Sequence, residues 1–166
     1  MVKKKICMIG AYAVGKTSLV QRFVKSIFSE KYLTTIGVKI DKKSLNIDGT
    51  KLDLILWDIH GEDDYQKVQS SYLVGSAGYF LVIDGTRKNT LEVAEYLNQM
   101  INITVGKIPF YLLINKVDMK DEWEIDDNII EKIKQKGWKY YFTSAKTGEA
   151  VELAFLELSR DILKNQ

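Results

Sequence analysis

Eight residues near the start of the chain have the types and spacing needed to hold a phosphate group. Gly10, Gly15, Lys16 and Thr17 form the pattern G-x-x-x-x-G-K-[ST], directly after the apolar run 6–9. The glycines permit a sharp turn that points backbone N–H groups inward, and the helix that follows adds its positive N-terminal dipole. Lys16 supplies a positive charge, and Thr17 supplies a hydroxyl oxygen for Mg²⁺. The segment therefore predicts a phosphate-binding loop, of a kind that kinases, motors and molecular switches all use.

A carboxylate later in the chain suggests which base accompanies the phosphate. Asp118 ends the motif N-K-V-D at 115–118, which follows a strand-like apolar run. Its two oxygens can accept parallel hydrogen bonds from N1–H and the exocyclic amine of guanine, a pair of donors that adenine lacks. A site built for those donors rejects adenine, since a buried carboxylate without a partner is costly. Taken alone, the motif also fits a strand end and a solvated turn, but together with the phosphate loop it favours guanine.

The remaining residues of this motif, and those of S-A-K at 144–146, suit supporting roles. Asn115 can tie the loops together. Lys116 and Lys146 can lay their alkyl stems over the plane of the base. The N–H group of Ala145 can reach guanine O6. Both motifs follow strand-like runs, so we expect them at the edge of the sheet where ligands bind.

Apolar strand-like runs alternate with helical patterns along the chain, which predicts an α/β fold. The predicted strands are 6–10, 38–45, 51–58, 79–84, 109–115 and 138–143, and the predicted helices are 16–27, 65–74, 89–105, 126–136 and 148–163. Asp48-Gly49 marks a hairpin turn between the second and third strands. We therefore expect one domain over 1–166, with a doubly wound, mostly parallel six-stranded sheet, one antiparallel edge strand and helices on both faces.

Composition excludes several classes of protein. The chain has 166 residues, 46% of them hydrophobic, and 24 basic residues against 22 acidic ones. This balance gives no general argument for nucleic-acid binding. No apolar run is long enough to span a membrane, and no signal peptide is visible. Cys7 is the single cysteine, so no internal disulfide can form. We expect a cytoplasmic monomer that binds no nucleic acid and that reaches membranes, if at all, through partners.

These motifs together resemble those of the Ras superfamily of small GTPases. Five features fall in the order typical of that superfamily: 10–18, Thr35, W-D-x-x-G at 57–61, 115–118 and 144–146. The resemblance covers essentially the whole chain. Within the superfamily the Rab branch is closest, because Y-L-T-T-I-G-V at 32–38 resembles its first switch region. The segments 70–72 and 75–78 likewise resemble the helix after its second switch region.

The resemblance implies a P-loop G domain that binds GTP or GDP with Mg²⁺ and hydrolyses GTP. Thr17, Thr35 and Asp58 would hold the metal, Thr35 only while a γ-phosphate is present. The Gly61 N–H would bond that phosphate, and its loss would release both switch loops. The residues implied in catalysis are Lys16, Thr35, Gly61 and Glu62. The implied nucleotide contacts are Tyr12, Ala13, Val14, Gly15, Lys16, Thr17, Ser18, Phe28, Tyr32, Thr35, Gly61, Asn115, Lys116, Asp118, Ser144, Ala145 and Lys146.

Some of these assignments rest on the resemblance because the residues alone allow another role. Phe28 could be a core aromatic at the end of the first helix, whereas in the family it packs edge-on against guanine. Tyr32 would cover the phosphates. Effectors, exchange factors and activating proteins would bind the two switch regions, on a surface around Ile36, Ile40, Trp57 and Tyr72. Trp57 could instead be a partly buried strand residue.

Glu62 departs from the family, which usually has a glutamine at this position to orient the attacking water. A carboxylate can accept a hydrogen bond from water but cannot donate one to a transition-state oxygen, as an amide can. It also adds negative charge beside a phosphate that accumulates it. Glu62 could therefore slow hydrolysis or act as a base. Asp63 and Asp64 extend the acidic character of the second switch.

Two further departures lie close to the expected γ-phosphate. Tyr12 replaces a small residue; its ring could crowd an inserted arginine, or its hydroxyl could contact the phosphate or the attacking water. His60 is the only histidine; a surface or packing role is favoured over a role in positioning water together with Glu62. The chain stops at Asn165-Gln166 without the C-terminal cysteines of the family. We expect a natural end without a prenyl anchor, although removal of a tail would leave the same sequence.

The sequence thus favours a GTP-hydrolysing switch over two other classes of function. A GTP-loaded binding module that acts as a scaffold without hydrolysis is the main alternative, motivated by Glu62 and Tyr12. A nucleoside or nucleotide kinase would share the phosphate loop. It would leave the motif at 115–118 unexplained, and no lid for a second substrate is recognisable.

Overall fold

A six-stranded sheet lies at the centre of the computed structural model, which describes residues 1–29, 35–63 and 67–165. Its strands are β1 (Val2–Gly10), β2 (Val38–Ile47), β3 (Thr50–Ile59), β4 (Ser76–Asp84), β5 (Phe110–Asn115) and β6 (Tyr140–Thr143). Their order across the sheet is β2-β3-β1-β4-β5-β6. All neighbouring strands are parallel except β2 and β3, which form an antiparallel hairpin.

Helices cover both faces of this sheet. The α-helices are α1 (Lys16–Lys25), α2 (Asn89–Val105), α3 (Asp127–Gln135) and α4 (Val151–Lys164). The apolar sides of α1 and α4 pack into the core on one face, and those of α2 and α3 pack into the core on the other. The predicted α/β class, the mostly parallel sheet and the antiparallel edge strand are confirmed. None of the helices in the described part of the chain is long and apolar enough to cross a membrane.

The hairpin between β2 and β3 turns where the sequence predicts it. Asp48 and Gly49 both have positive φ angles, of 49° and 87°, as a two-residue turn of this type requires. The Gly49 N–H also donates to the Asn46 side chain over 3.0 Å. Pairing continues up to the turn, so both strands are longer than predicted.

The helix predicted for 65–74 is largely wrong. Ser70–Leu73 forms only a short 3₁₀ turn, and Gln69 before it is extended, with ψ of 129°; 64–66 lie outside the described residues. Val68 and Leu73 are nevertheless buried in the core shared with α2. Packing satisfies the apolar positions without a regular helix, because tertiary contacts override helical periodicity over so short a segment.

The first helix is shorter than predicted, ending at Lys25 rather than at 27. Ser26 adopts a left-handed conformation with φ of 55°, and its N–H donates to the Arg22 carbonyl. This arrangement ends the helix, as left-handed residues commonly do. The helix α3 begins as expected, since the Asp126 side chain accepts a hydrogen bond from the Ile129 N–H.

The topology brings the carboxyl ends of five parallel strands to one edge of the sheet. β1, β3, β4, β5 and β6 all run in the same direction and end at this edge. The segments that follow these strands are the phosphate loop, the second switch region, the loop after Asp84, and the motifs at 115–118 and 144–146. Sheet topology therefore gathers the predicted motifs, as it does in open α/β sheets generally.

Phe155 on α4 is central to the core that α1 and α4 share. Its side chain is fully buried, stacks on Phe23 with ring centroids 4.0 Å apart, and lies 4.7 Å from the Phe80 ring. It therefore joins α4 to α1 and to β4.

Replacing this ring should destabilise the protein strongly. We expect Phe155→Ala to lower the free energy of unfolding by about 3–5 kcal/mol, because the cavity cannot collapse fully. Leu153→Ala on the same helix is the control; Leu153 is 47% exposed, and its loss should cost less than about 1 kcal/mol. Urea unfolding followed by circular dichroism measures both, and equal costs would contradict this account of the core.

Candidate functional site

The phosphate loop connects β1 to α1 and needs glycine at two points. A Cβ atom at Gly10 would lie 2.3 Å from the Val82 carbonyl oxygen, and one at Gly15 would lie 2.4 Å from Nδ2 of Asn115. Gly15 also has φ of 102°, and Ala13 has φ of 66°. Both glycines therefore allow close approach of neighbouring elements, and the left-handed residues give the loop its tight path.

Lys16 carries a buried positive charge at the base of this loop. It is 5% exposed, and its ammonium group donates to the carbonyls of Ala11 at 3.0 Å and Gly10 at 3.3 Å. Burial lowers the pKa of Lys16 to about 8, although the charge of Asp58 opposes the shift. An anion held in the loop would stabilise the ammonium form, which suits the predicted role of Lys16 in binding phosphate.

Three oxygen-bearing side chains converge beside the loop. The Thr17 hydroxyl lies 2.6 Å from the Thr35 hydroxyl and donates to Asp58 Oδ2 over 2.6 Å. Thr35 also donates to the same oxygen over 3.4 Å. The residues come from α1, from the segment before β2 and from the end of β3, so the sequence separation between them is large.

This trio fits a hard divalent cation. Asp58 is 1% exposed, and its Oδ1 atom has no hydrogen-bond partner among the described residues. Burial raises the pKa of Asp58, because the protein removes solvent from the carboxylate more effectively than the hydroxyl groups replace it. A cation would satisfy the unpaired oxygen, and hydroxyl and carboxylate oxygens are ligands that Mg²⁺ accepts.

The buried amide of Asn115 connects the phosphate loop with two strand ends at the edge of the sheet. Its Nδ2 donates to the Val14 carbonyl over 3.0 Å, and its Oδ1 accepts from the Thr143 hydroxyl over 3.1 Å. The side chain thereby holds the phosphate loop, the end of β5 and the end of β6 together. This is the tying role that the sequence suggests for Asn115.

The carboxylate of Asp118 is oriented by Ser144. The Ser144 hydroxyl donates to Asp118 Oδ1 over 2.7 Å, and it accepts from the Thr147 N–H over 3.0 Å. Asp118 itself is exposed at the edge of the sheet. Sequence reasoning placed Ser144 in the site without a specific role, and the structure assigns it the orientation of this carboxylate.

The neighbouring base-site residues lie around the same edge. Ala145 is buried, and its carbonyl accepts from Arg22 Nε over 2.7 Å, while a second Arg22 nitrogen bonds the carbonyl of Lys146. Phe28 is half-buried against the core that α1 shares with α4. This packing fits a core role for Phe28, and its edge-on contact with guanine stays a prediction. Tyr32 lies outside the described residues.

Asp84 and Arg87 are site residues that sequence reasoning missed. Asp84 ends β4 and is almost fully buried, and its Oδ2 atom lies 2.8 Å from Lys116 Nζ and 3.1 Å from Arg87 Nε. Burial alone raises the pKa of Asp84, but hydrogen bonds from Lys116 and Thr86 outweigh it and hold the pKa below its usual value. The rule that identifies Asn115, a polar residue at the end of an apolar strand, would also have identified Asp84.

Gly61 and Glu62, which follow β3 and begin the second switch region, lie directly against the phosphate loop. The Glu62 N–H donates to the Gly10 carbonyl over 3.1 Å, and the Tyr12 N–H donates to the Glu62 carbonyl over 3.0 Å. Gly61 must be glycine here, because a Cβ atom would lie 2.3 Å from Tyr12 Cα. The described backbone therefore couples residues 10–12 to residues 61 and 62.

The Glu62 side chain is occupied by a structural contact. It is 6% exposed, and Oε1 accepts a hydrogen bond from the Val68 N–H over 2.7 Å. In this arrangement the carboxylate holds the backbone at Val68, just before the 3₁₀ turn Ser70–Leu73. To position water with Oε1, Glu62 would have to release this backbone N–H.

His60 is buried, so of the surface and packing roles that the sequence favours it has the packing role. It is 6% exposed, its backbone N–H donates to the Gly37 carbonyl over 2.8 Å, and its ring meets Tyr72 edge-on at 6.4 Å. The ring Nδ1 lies 3.3 Å from the Gly61 carbonyl. His60 thus connects Gly37, which lies before β2, with Tyr72 in the 3₁₀ turn.

The predicted partner surface has two exposed aliphatic residues and two half-buried aromatic residues that contact Lys5. Ile36 is 85% exposed and Ile40 is 52% exposed. Ile40 pairs with Trp57 across the hairpin, and Trp57 and Tyr72 are half-buried. The Lys5 ammonium lies 3.5 Å from the centre of a Trp57 ring and donates to the Tyr72 carbonyl over 2.7 Å. Lys5 therefore contacts both Trp57 and Tyr72 and helps to fix their positions.

Comparison with known proteins identifies the family. A sequence profile described as the Ras family matches residues 5–164. The Ras-related protein Rab-13 of Canis lupus familiaris is 30% identical over 161 residues, which is 96% of this chain and 79% of that protein. The Ras-related protein Rab-8B of Homo sapiens is 31% identical over 161 residues, covering 96% and 78%.

A more distant source gives the same result. The Ras-related protein Rab-21 of Geodia cydonium is 31% identical over 165 residues, which is 98% of this chain and 72% of that protein. The matches extend over nearly the whole chain and therefore include every motif of the site. This chain belongs to the Ras family of small GTP-binding GTPases and is Rab-like.

Proposed function

We propose that this protein is a molecular switch that binds GTP and GDP with Mg²⁺, hydrolyses GTP, and signals through two switch regions. The observation that carries the proposal is the meeting of Thr17, Thr35 and Asp58 beside the phosphate loop. Thr35 belongs to the first switch region, and Asp58 leads into the second. A nucleotide that changes the contacts of this trio would therefore change both regions together.

The residues of the phosphate loop would bind the phosphates directly. Lys16 would neutralise negative charge on their oxygens, and the backbone N–H groups after Ala13 would surround them. Thr17, Thr35 and Asp58 would hold the Mg²⁺ ion, which when bound neutralises charge on the phosphate oxygens. The buried oxygen of Asp58 without a partner supports this assignment.

Recognition of the base rests on Asp118, held by Ser144 at 2.7 Å. Its carboxylate would accept from guanine, with the Ala145 N–H and the stems of Lys116 and Lys146 completing the site. The bond from Asn115 to the Val14 carbonyl keeps this base site at a fixed distance from the phosphate loop. Phe28 would contact the edge of the base.

The output of the switch would pass through the surface around Ile36, Ile40, Trp57 and Tyr72. Effector, exchange-factor and activating proteins would recognise this surface in one nucleotide state. Its exposed aliphatic residues and half-buried aromatic residues suit burial in a protein interface. We further propose that the protein acts as a monomer in the cytoplasm, and that it reaches membranes through these partners.

A GTP-loaded scaffold that does not hydrolyse GTP is a second candidate function. The bond from the Val68 N–H to Glu62 favours it, because one oxygen of this buried carboxylate is already engaged by the backbone. Slow intrinsic hydrolysis would follow from the same contact if Glu62 kept it with GTP bound. Slow intrinsic hydrolysis also fits a switch, since most acceleration in this class of protein comes from partners.

Single-turnover hydrolysis separates these two candidates. We expect phosphate release by the purified protein to exceed that of free GTP. We expect Glu62→Gln to raise the rate about tenfold, because the amide can donate a hydrogen bond and removes a negative charge. Asp63→Asn is the control, since it removes the same charge one residue away. If neither the wild type nor Glu62→Gln releases phosphate faster than free GTP does, the protein is a scaffold that does not hydrolyse GTP.

The base assignment makes a second prediction. Asp118→Asn should weaken GTP binding by at least about a hundredfold and favour xanthosine triphosphate, whose carbonyl can accept from the new amide. Asp118 lies in a 3₁₀ segment, Val117–Glu122, and Asp121→Asn replaces an exposed carboxylate of the same segment, so it should leave the preference unchanged. Competition binding with a fluorescent nucleotide measures both, and undiminished GTP affinity in Asp118→Asn would refute the role of Asp118.

A further inference from the structure

The loop after β4 places the Arg87 guanidinium group against the phosphate loop. Its Nη2 atom donates to the Tyr12 carbonyl over 2.7 Å, and its Nε atom donates to Asp84 Oδ2 over 3.1 Å. One planar guanidinium group therefore connects a buried carboxylate with the backbone of the phosphate loop. A planar fork of donors can make both bonds at once, which the single nitrogen of a lysine does less well.

The position of Arg87 is fixed by its own backbone. Its N–H donates to the Asp84 carbonyl over 2.9 Å, and its carbonyl accepts from the Thr90 hydroxyl over 2.7 Å. The Thr90 hydroxyl also accepts from the Asp84 N–H, while the N–H and hydroxyl of Thr86 both donate to Asp84 Oδ1. These bonds fix the Arg87 backbone beside Asp84, and the bond from its Nε to Asp84 Oδ2 orients the side chain towards Tyr12.

A second cation shares the same carboxylate and holds the next carbonyl of the loop. Lys116 Nζ lies 2.8 Å from Asp84 Oδ2 and donates to the Ala13 carbonyl over 3.3 Å. Arg87 and Lys116 therefore hold two consecutive peptide carbonyls of the phosphate loop, those of Tyr12 and Ala13. A single carboxylate oxygen of Asp84 therefore contacts both cations.

Holding these carbonyls has a geometric consequence for the phosphate site. In a trans peptide the C=O group of one residue points opposite to the N–H group of the next. The bond from Arg87 to the Tyr12 carbonyl therefore directs the Ala13 N–H away from Arg87. The bond from Lys116 does the same for the Val14 N–H.

The two cations act at different ends of the loop. The Tyr12 N–H bonds the Glu62 carbonyl, so Tyr12 lies beside the second switch region, where the terminal phosphate would sit. Lys116 belongs to the motif of the base site. Loss of Arg87 should therefore affect the terminal phosphate more than the two phosphates that GDP also has.

We propose that Arg87 is a positioning residue for the terminal phosphate of GTP, acting through the Tyr12 peptide and anchored by Asp84. The inference deepens the proposed function and rests on it, since it assumes that a guanine nucleotide binds this loop. Arg87 acts on the backbone and does not need to touch the nucleotide.

Equilibrium binding of two nucleotides tests the proposal. Arg87→Ala should weaken binding of a non-hydrolysable GTP analogue about tenfold, the size expected for loss of one charge-assisted hydrogen bond, and change GDP binding less than about twofold. Arg87→Lys should fall between wild type and Arg87→Ala. Lys88→Ala, which removes the exposed cation one residue further along, is the control and should match wild type. Thermal unfolding should show all three variants folded.

The contrary results are equally specific. Equal weakening of both nucleotides by Arg87→Ala, or no weakening of either, would overturn the proposal, as would the same effect from Lys88→Ala. Failure of the wild-type protein to bind either nucleotide would overturn the proposed function and this inference with it. Because the assay uses a non-hydrolysable analogue, a protein that binds GTP without hydrolysing it still tests Arg87.

Discussion

The site depends on one buried side chain, Asn115, whose amide group bonds the phosphate loop and the end of β6. Its contacts with Val14 and Thr143 leave no room for a Cβ atom at Gly15. Gly15 has φ of 102° and directly precedes α1, so this packing lies at the start of the helix that carries Lys16 and Thr17. A buried amide is costly unless both its polar atoms have partners, and here both do.

Around this anchor the protein concentrates buried charge. Lys16, Asp58 and Asp84 are each no more than 5% exposed. Asp84 is fully compensated by cations and hydroxyl groups, so it belongs to the rigid frame. Lys16 and Asp58 are compensated less completely, by carbonyls and hydroxyls. Groups with such incomplete partners are typical of sites that bind a ligand of opposite charge.

How far the sequence predicts this structure differs between elements. The segments 10–17 and 115–118 could be assigned because each motif follows an apolar strand, and the carboxyl ends of parallel strands meet. The short apolar spacing in 65–74 suggested a helix, but burial of Val68 and Leu73 in the core satisfies it without one. The direction of the Glu62 side chain could not be predicted, because its partner is a backbone N–H six residues away. Arg87 likewise belongs to no motif, and only the path of the loop after Asp84 brings it to Tyr12.

The central claim is that Thr17, Thr35 and Asp58, gathered from three elements, form a cation site coupled to the nucleotide in the phosphate loop. The most direct test is the rate at which fluorescent GDP leaves the purified protein in excess Mg²⁺ and in excess EDTA. If the sites are coupled, EDTA should speed release at least about tenfold, within the usual range for coupled ligands. Identical release rates in the two conditions would contradict the claim.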